Sequence, residues 1–191
     1  MPKQQVRVVE TGTVNKLVIE NLTDQEIFIR AGEIVTGGKQ DRVISSNLIL
    51  PPHSGLIRMS AFCVEPGRWA ARDGQDGRSF AVASTAMPAS GTRRVAAAAA
   101  LTDAPQTPLA ERPATPAAQR QVWEDGRRAQ FELGRELHAN LAAPSAPTSL
   151  ASTLASDALE QATAKFIEIL SAGVGCGGCR RLRVCPRRNA G

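Results

Sequence analysis

Between residues 6 and 87 the chain is cut into short apolar runs by turn-forming residues, and this cadence restricts the fold more than any other feature. The runs are Val6–Val9, Lys16–Glu20, Glu26–Arg30, Glu33–Thr36, Val43–Leu50, Leu56–Val64 and Arg78–Ala83. Thr11-Gly12, Asn21–Asp24, Ala31-Gly32, Gly37-Gly38, Pro51-Pro52 and Gly74–Gly77 separate them. Short runs at regular spacing predict strands of an antiparallel sandwich or barrel-like module. Asn21-Leu22-Thr23-Asp24 reads as a hairpin connection, because Asn and Asp tolerate turn conformations and bond locally to the backbone. Pro51-Pro52 must end the strand before it, since proline donates nothing to a ladder.

Beyond residue 87 the pattern changes. Pro88, Pro105, Pro108, Pro113 and Pro116 punctuate residues 88–116, which read as a flexible linker, with Ala96–Ala100 as a helical turn or loose chain. Residues 117–142 read as a helix: Val122, Gly126, Ala129, Leu133 and Leu137 form one stripe of a 3.6-residue period. Pro144 and Pro147 end it, and Thr148 or Ser149 caps a second helix running to about Leu170. The second stripe is Leu150, Leu154, Ala158, Ala162, Phe166 and Ile169, and both stripes are expected to cover the β portion. The predicted architecture is therefore α+β: a β-rich module over 1–87, a linker over 88–116, a two-helix hairpin over 117–170, and a basic tail over 171–191. No internal repeat is visible.

The 191 residues are 42% hydrophobic and 21% charged, which suits a packed core rather than wholesale disorder. No apolar run approaches the roughly 20 residues of a membrane-spanning helix. Met1-Pro2-Lys3-Gln4-Gln5 lacks the apolar stretch of a secretory signal, so a cytoplasmic location is expected. The net charge of +5 invites a nucleic-acid reading, but its distribution opposes one. Five of the 23 basic residues and none of the 18 acidic ones fall after residue 170, so residues 1–170 balance at zero. Tyrosine is absent and aromatics are 4%, which leaves few stacking platforms for bases.

The densest polar cluster is Gly32-Glu33-Ile34-Val35-Thr36-Gly37-Gly38-Lys39-Gln40-Asp41-Arg42. Leu50-Pro51-Pro52-His53-Ser54-Gly55 and Phe62-Cys63-Val64-Glu65-Pro66-Gly67-Arg68-Trp69 follow. In this order they resemble the bacterial domain family named for association with ADP-ribosylglycohydrolases and the rhodanese/phosphatase superfamily. The chain departs from that family's pattern at Pro66, where Gln is usual. The resemblance runs from about Val8 to Leu170 and is strongest over 32–69. It implies a link to ADP-ribose or nucleotide metabolism, but no reaction and no cofactor, because an association of neighbours is not a mechanism.

The resemblance also implies longer relatives, with a Gly/Val/Ala-rich strand, an Asn-Gly turn and a Trp-containing helix after the equivalent of Leu170. Here 14 of the last 21 residues are Arg, Gly, Cys or Pro, the composition of GC-rich DNA read out of frame. Were Gly177–Arg181 encoded GGC GGT TGC CGT CGC, a one-base slip would give Ala-Val-Ala-Val. A frameshifted tail is therefore expected, and with it an aggregation-prone product whose sheet edge and apolar helix faces lie open.

Candidate ligand-binding residues are Lys39, Gln40, Asp41, Arg42, Glu65, Arg68 and Trp69. Gly32-x4-Gly37-Gly38-Lys39-Gln40 misses the phosphate-binding P-loop: its Lys is one place late, Gln40 replaces the hydroxyl residue, and no helix follows. Two readings stay open for the turn. It presents Lys39 and Arg42 to an anion, or its charges are merely solvated. Two also stay open for the second cluster: a turn pinned by Glu65 and Arg68 and capped by Trp69, or a rim where Arg68 takes an anion and Trp69 stacks on a ring. Cys63 shares strand parity with Ile57, Met59 and Ala61 and reads as core rather than nucleophile. His53 reads as a solvated turn residue, and His138 as an edge residue of the first helix. Cys176, Cys179 and Cys185 are weak metal candidates, lacking a fourth ligand.

Three functions follow from these readings. The first is a ligand-binding or interaction module whose partner is a small anionic ligand or a protein. The second is an enzyme or accessory acting on a phosphorylated or nucleotide-derived molecule through Lys39, Asp41, Arg42, Glu65 and Arg68. The third is metal or nucleic-acid binding through the tail.

Overall fold

The computed structural model describes residues 5–100 and 115–173. Eight strands come first: β1 (Val6–Glu10), β2 (Lys16–Asn21), β3 (Ile27–Ile29), β4 (Glu33–Gly37), β5 (Arg42–Ile44), β6 (Leu48–Leu50), β7 (Ile57–Cys63) and β8 (Phe80–Ala86). Helices follow: α1 (Ala89–Ala100), α2 (Pro116–Leu137), α3 (Leu150–Leu154) and α4 (Asp157–Gly173). Six strands form one antiparallel sheet in the order β1-β2-β7-β5-β4-β8. The sheet curls until its two edges meet, where Val9 bridges Ser79 and the Glu10 N–H donates to Arg78 O at 2.9 Å. The result is a half-barrel, and β3 and β6 form a separate two-stranded ribbon against it.

Side chains alternate across a strand, so a strand covered on both faces feeds two cores. Val35, Ile44 and Ala61 face the core inside the curl, with Leu17, Met59 and Phe80. Their neighbours Ile34, Val43 and Phe62 face the helices and pack with Val95, Val122 and Leu150. The run read as one strand over Val43–Leu50 is two, β5 and β6, in different sheets, because Ser45–Asn47 turn the chain between them. Asn21–Asp24 is likewise not a hairpin connection: β2 and β3 do not pair. Instead Asn21, 1% exposed, donates to Gln25 O, Leu50 O and Pro51 O and ties the ribbon to the sheet.

The helices also differ from the expectation. The first part of the segment read as a linker is α1, because Val95 and Ala99 lie one turn apart and both are buried, Val95 in the core with Ile34, Val43 and Phe62 of the sheet. The remainder of that segment, 101–114, lies outside the described residues. α2 starts at Pro116 under a Thr115 cap, whose side chain accepts from the Ala118 N–H at 3.2 Å. It stops at Leu137 rather than 142, because His138 is its left-handed C-cap (φ 48), not a residue on its edge. The second helix breaks at Ala155-Ser156. Ser149 caps the short α3, and α4 restarts with Asp157 and Glu160 in its first turn, where negative charge favours a helix N-terminus. Leu150 and Leu154 reach the core. Phe166, Ile167, Ile169 and Leu170 do not cover the β portion; each is more than half exposed. Among the described residues, no helix is long and apolar enough to cross a membrane.

Candidate functional site

The turn between β4 and β5 is built by two glycines. Gly37 (φ 126) and Gly38 (φ 49) are left-handed, and a Cβ on Gly38 would come within 2.3 Å of the Phe80 ring. Lying flat against β8, the turn sends its next residues inward. Asp41 closes it by accepting the Gly37 N–H at Oδ1, 3.1 Å away.

Asp41 is fully buried, and its carboxylate is the centre of a cluster drawn from distant parts of the chain. Oδ2 accepts from Ser149 Oγ and from Arg72 Nη2, each at 2.7 Å, and Oδ1 receives Arg68 Nη2 at 3.4 Å. Glu65, 1% exposed, sits just past β7. Its Oε2 accepts the Asp41 backbone N–H at 3.1 Å and meets Arg68 Nη2 at 2.7 Å, while Oε1 accepts from Arg72 Nη2 at 3.0 Å. The Glu65–Arg68 pairing expected for a pinned turn is present. Arg68 also donates to the Gly38 and Gly37 carbonyls, so it locks one turn to the other.

Arg42 is equally buried but points away from this pair. It donates from Nε to Val14 O at 2.8 Å, from Nη1 to the backbone and side-chain oxygens of Gln40, and from Nη2 to Glu10 Oε2 at 3.4 Å. Gln40 in turn donates to Glu65 O at 3.4 Å. Formal charges cancel: Glu10, Asp41 and Glu65 stand against Arg42, Arg68 and Arg72. Buried charge survives when it is paired and hydrogen-bonded in this way. Burial pushes the Arg42 guanidinium below its ordinary pKa, with Glu10 opposing. Burial works against charge on Arg72 too, but the Asp41 and Glu65 carboxylates outweigh it and hold that pKa above the ordinary value. Two donors in the cluster, Nε of Arg68 and Nε of Arg72, are buried without a hydrogen-bond partner.

Two of the candidate residues lie at the surface of the cluster. Trp69 is 45% exposed; Lys39 Nζ lies 5.0 Å from its ring centroid and Arg42 Cζ 5.8 Å. The ring thus roofs buried Arg42 and meets the cation of Lys39, an arrangement that favours positive charge beside an aromatic face.

Three contributors were not singled out in the sequence: Glu10, Arg72 and Ser149 as a junction residue. Ser149 was legible as a helix cap, which it is, since its Oγ accepts the Ser152 N–H at 3.1 Å. Nothing in the sequence marks that the same hydroxyl donates to Asp41, 108 residues away.

Cys63 is buried, as strand parity predicts. Burial pushes its thiol up, and the nearby Glu65 N–H and Trp123 indole offset this only in part. Its backbone is clamped by Gln119 of α2, which donates to Cys63 O and accepts the Cys63 N–H, both at 2.9 Å. His53 is exposed at a left-handed turn position (φ 45), with Nε2 2.6 Å from Asp24 Oδ1. Cys176, Cys179 and Cys185 lie outside the described residues. Among the described residues, no group of three or more His, Cys, Asp or Glu side chains is placed to hold a metal ion.

Comparison with curated proteins and with solved structures finds no match. One family model does match, over residues 1–177, which takes in every strand and helix described above and stops before the arginines of the tail. With the Gly37–Arg42 turn, the Glu65–Trp69 turn and the helices that lock them inside the matched span, the chain belongs to the ARG and Rhodanese-Phosphatase-superfamily-associated Protein domain family.

Proposed function

We propose that this chain is a ligand-binding module whose ligand is a small, anionic, nucleotide-derived molecule met at the rim formed by Lys39 and Trp69. One observation carries the reading: the exposure of the candidate residues is sharply divided. Asp41 and Glu65, the side chains able to act as acid or base, are sealed and accept only protein donors. Trp69 and half-buried Lys39 are left at the surface, an aromatic ring beside an ammonium. Gln40, Asp41, Arg42, Glu65 and Arg68 serve this reading by holding the two turns rigid. The family's association with ADP-ribosylglycohydrolases supports a nucleotide-derived ligand. An enzymatic reading through Lys39, Asp41, Arg42, Glu65 and Arg68 draws on the two unused Nε donors, and requires the cluster to open.

Thermal unfolding with ADP-ribose and with inorganic phosphate tests the proposal. A ligand at 100 times its Kd stabilises by about 2.7 kcal/mol. ADP-ribose should raise the melting temperature of the native chain, and Lys39→Ala with Trp69→Ala should abolish the shift. Turnover of ADP-ribose that is lost in Asp41→Asn, in a variant shown to be folded, would establish the enzymatic reading instead.

A further inference from the structure

Behind the buried cluster, between the exit of β7 and the inner face of α2, lies a cleft of about 480 Å³. Val64, Val122 and Leu150 form its floor, Pro66 and Pro147 line it with Trp123, and Arg127 and Gln130 also border it. Gly126 lies on this side of α2. It is buried, yet a Cβ built on it would meet nothing within 4 Å. A glycine in the middle of a helix weakens it, so the empty space here is kept at a cost in helix propensity. Trp123 lines the cleft, and its indole nitrogen is buried. Arg127 is exposed, has no ion pair or hydrogen bond among the described residues, and is the one charged residue lining the cleft. A cavity of this size, mostly apolar, with Gln130 and Thr148 as polar neighbours and one cation, has the form of a small-molecule site.

We propose that this cleft binds a planar aromatic or heteroaromatic ring bearing a single anionic group, with the ring against Trp123 and the two prolines and the anion on Arg127. Flat apolar walls select the ring, and the lone cation selects one anionic group. The site is separate from the Lys39–Trp69 rim and does not depend on it.

Titration calorimetry on the full chain tests this with adenosine monophosphate, adenosine, ribose 5-phosphate and indole-3-acetate. Adenosine monophosphate or indole-3-acetate should bind, at least tenfold more tightly than adenosine or ribose 5-phosphate; which of the two binds distinguishes a nucleotide phosphate from an aromatic carboxylate. Arg127→Gln should weaken the anionic probe about tenfold and leave adenosine unchanged. Gly126→Ala should raise the melting temperature of the free protein, and Gly126→Leu, filling the space, should abolish binding without lowering it. Binding unaffected by Arg127→Gln and Gly126→Leu, or no binding of either anionic probe at millimolar concentration, overturns the proposal. Binding abolished by Lys39→Ala with Trp69→Ala but not by the cleft variants overturns it as well and leaves the rim reading standing.

Discussion

Asp41 shows how one side chain can look like chemistry and serve as structure. It stands in a Gly-Gly-Lys-Gln-Asp-Arg run that invites an active-site reading, and every lone pair it offers is engaged by the protein. Removing one partner of a buried ion pair strands the others and typically costs about 3–5 kcal/mol. Asp41→Asn should therefore lower the unfolding free energy by about that amount, read as a lower urea midpoint at unchanged slope. Replacing half-buried Lys39, which lies outside the ion-pair cluster, by Ala should leave stability within about 1 kcal/mol. The charged residue types and turn glycines of this region were legible in the sequence. Their burial was not, because it follows from Glu10, Arg72 and Ser149, which arrive from three other segments.

At the scale of elements, α3 is a five-residue helix that would not persist alone, since so short a segment cannot offset its own nucleation. It is held by its cap, by Leu150 and Leu154 in the core, and by the Ser149–Asp41 bond. Ser149→Ala removes the cap, worth about 1 kcal/mol, and takes from the Asp41 carboxylate one of its hydrogen bonds, worth about 1.5–3 kcal/mol more for a charged acceptor. A loss of about 2–4 kcal/mol is expected by denaturant titration, whereas the same change at exposed Thr148 should be nearly neutral. Strand and helix existence followed from periodicity and turn residues: six of the eight strands match a run of their own, and β5 and β6 share one. The errors share a cause: sequence spacing does not reveal partner choice. Ser45–Asn47 changes sheets rather than continuing a strand, and Val95 and Ala99 make a helix of a segment whose prolines suggested loose chain.

For the molecule as a whole, the apolar inventory is unevenly used. Both cores are closed around the half-barrel, yet the second half of α4 shows Phe166, Ile167, Ile169 and Leu170 to solvent. Contiguous exposed apolar faces promote association. Light scattering should find the native chain associating as concentration rises. Phe166→Glu with Ile169→Lys should shift it toward monomer, with a melting temperature unchanged within a few degrees.

The reach of the Asp41–Ser149 bond bears on how the chain can be made. A protein leaves the ribosome from its N-terminus, and Asp41, Glu65 and their arginines emerge long before residue 149 does. Until then Asp41 lacks one of its donors, and the helix-facing side of β4, β5 and β7 lacks Leu150 and Val122. The half-barrel is thus finished late, by its most distant partner. During synthesis its outer face is a stretch of uncovered apolar surface that chaperones, or another nascent copy, will meet first.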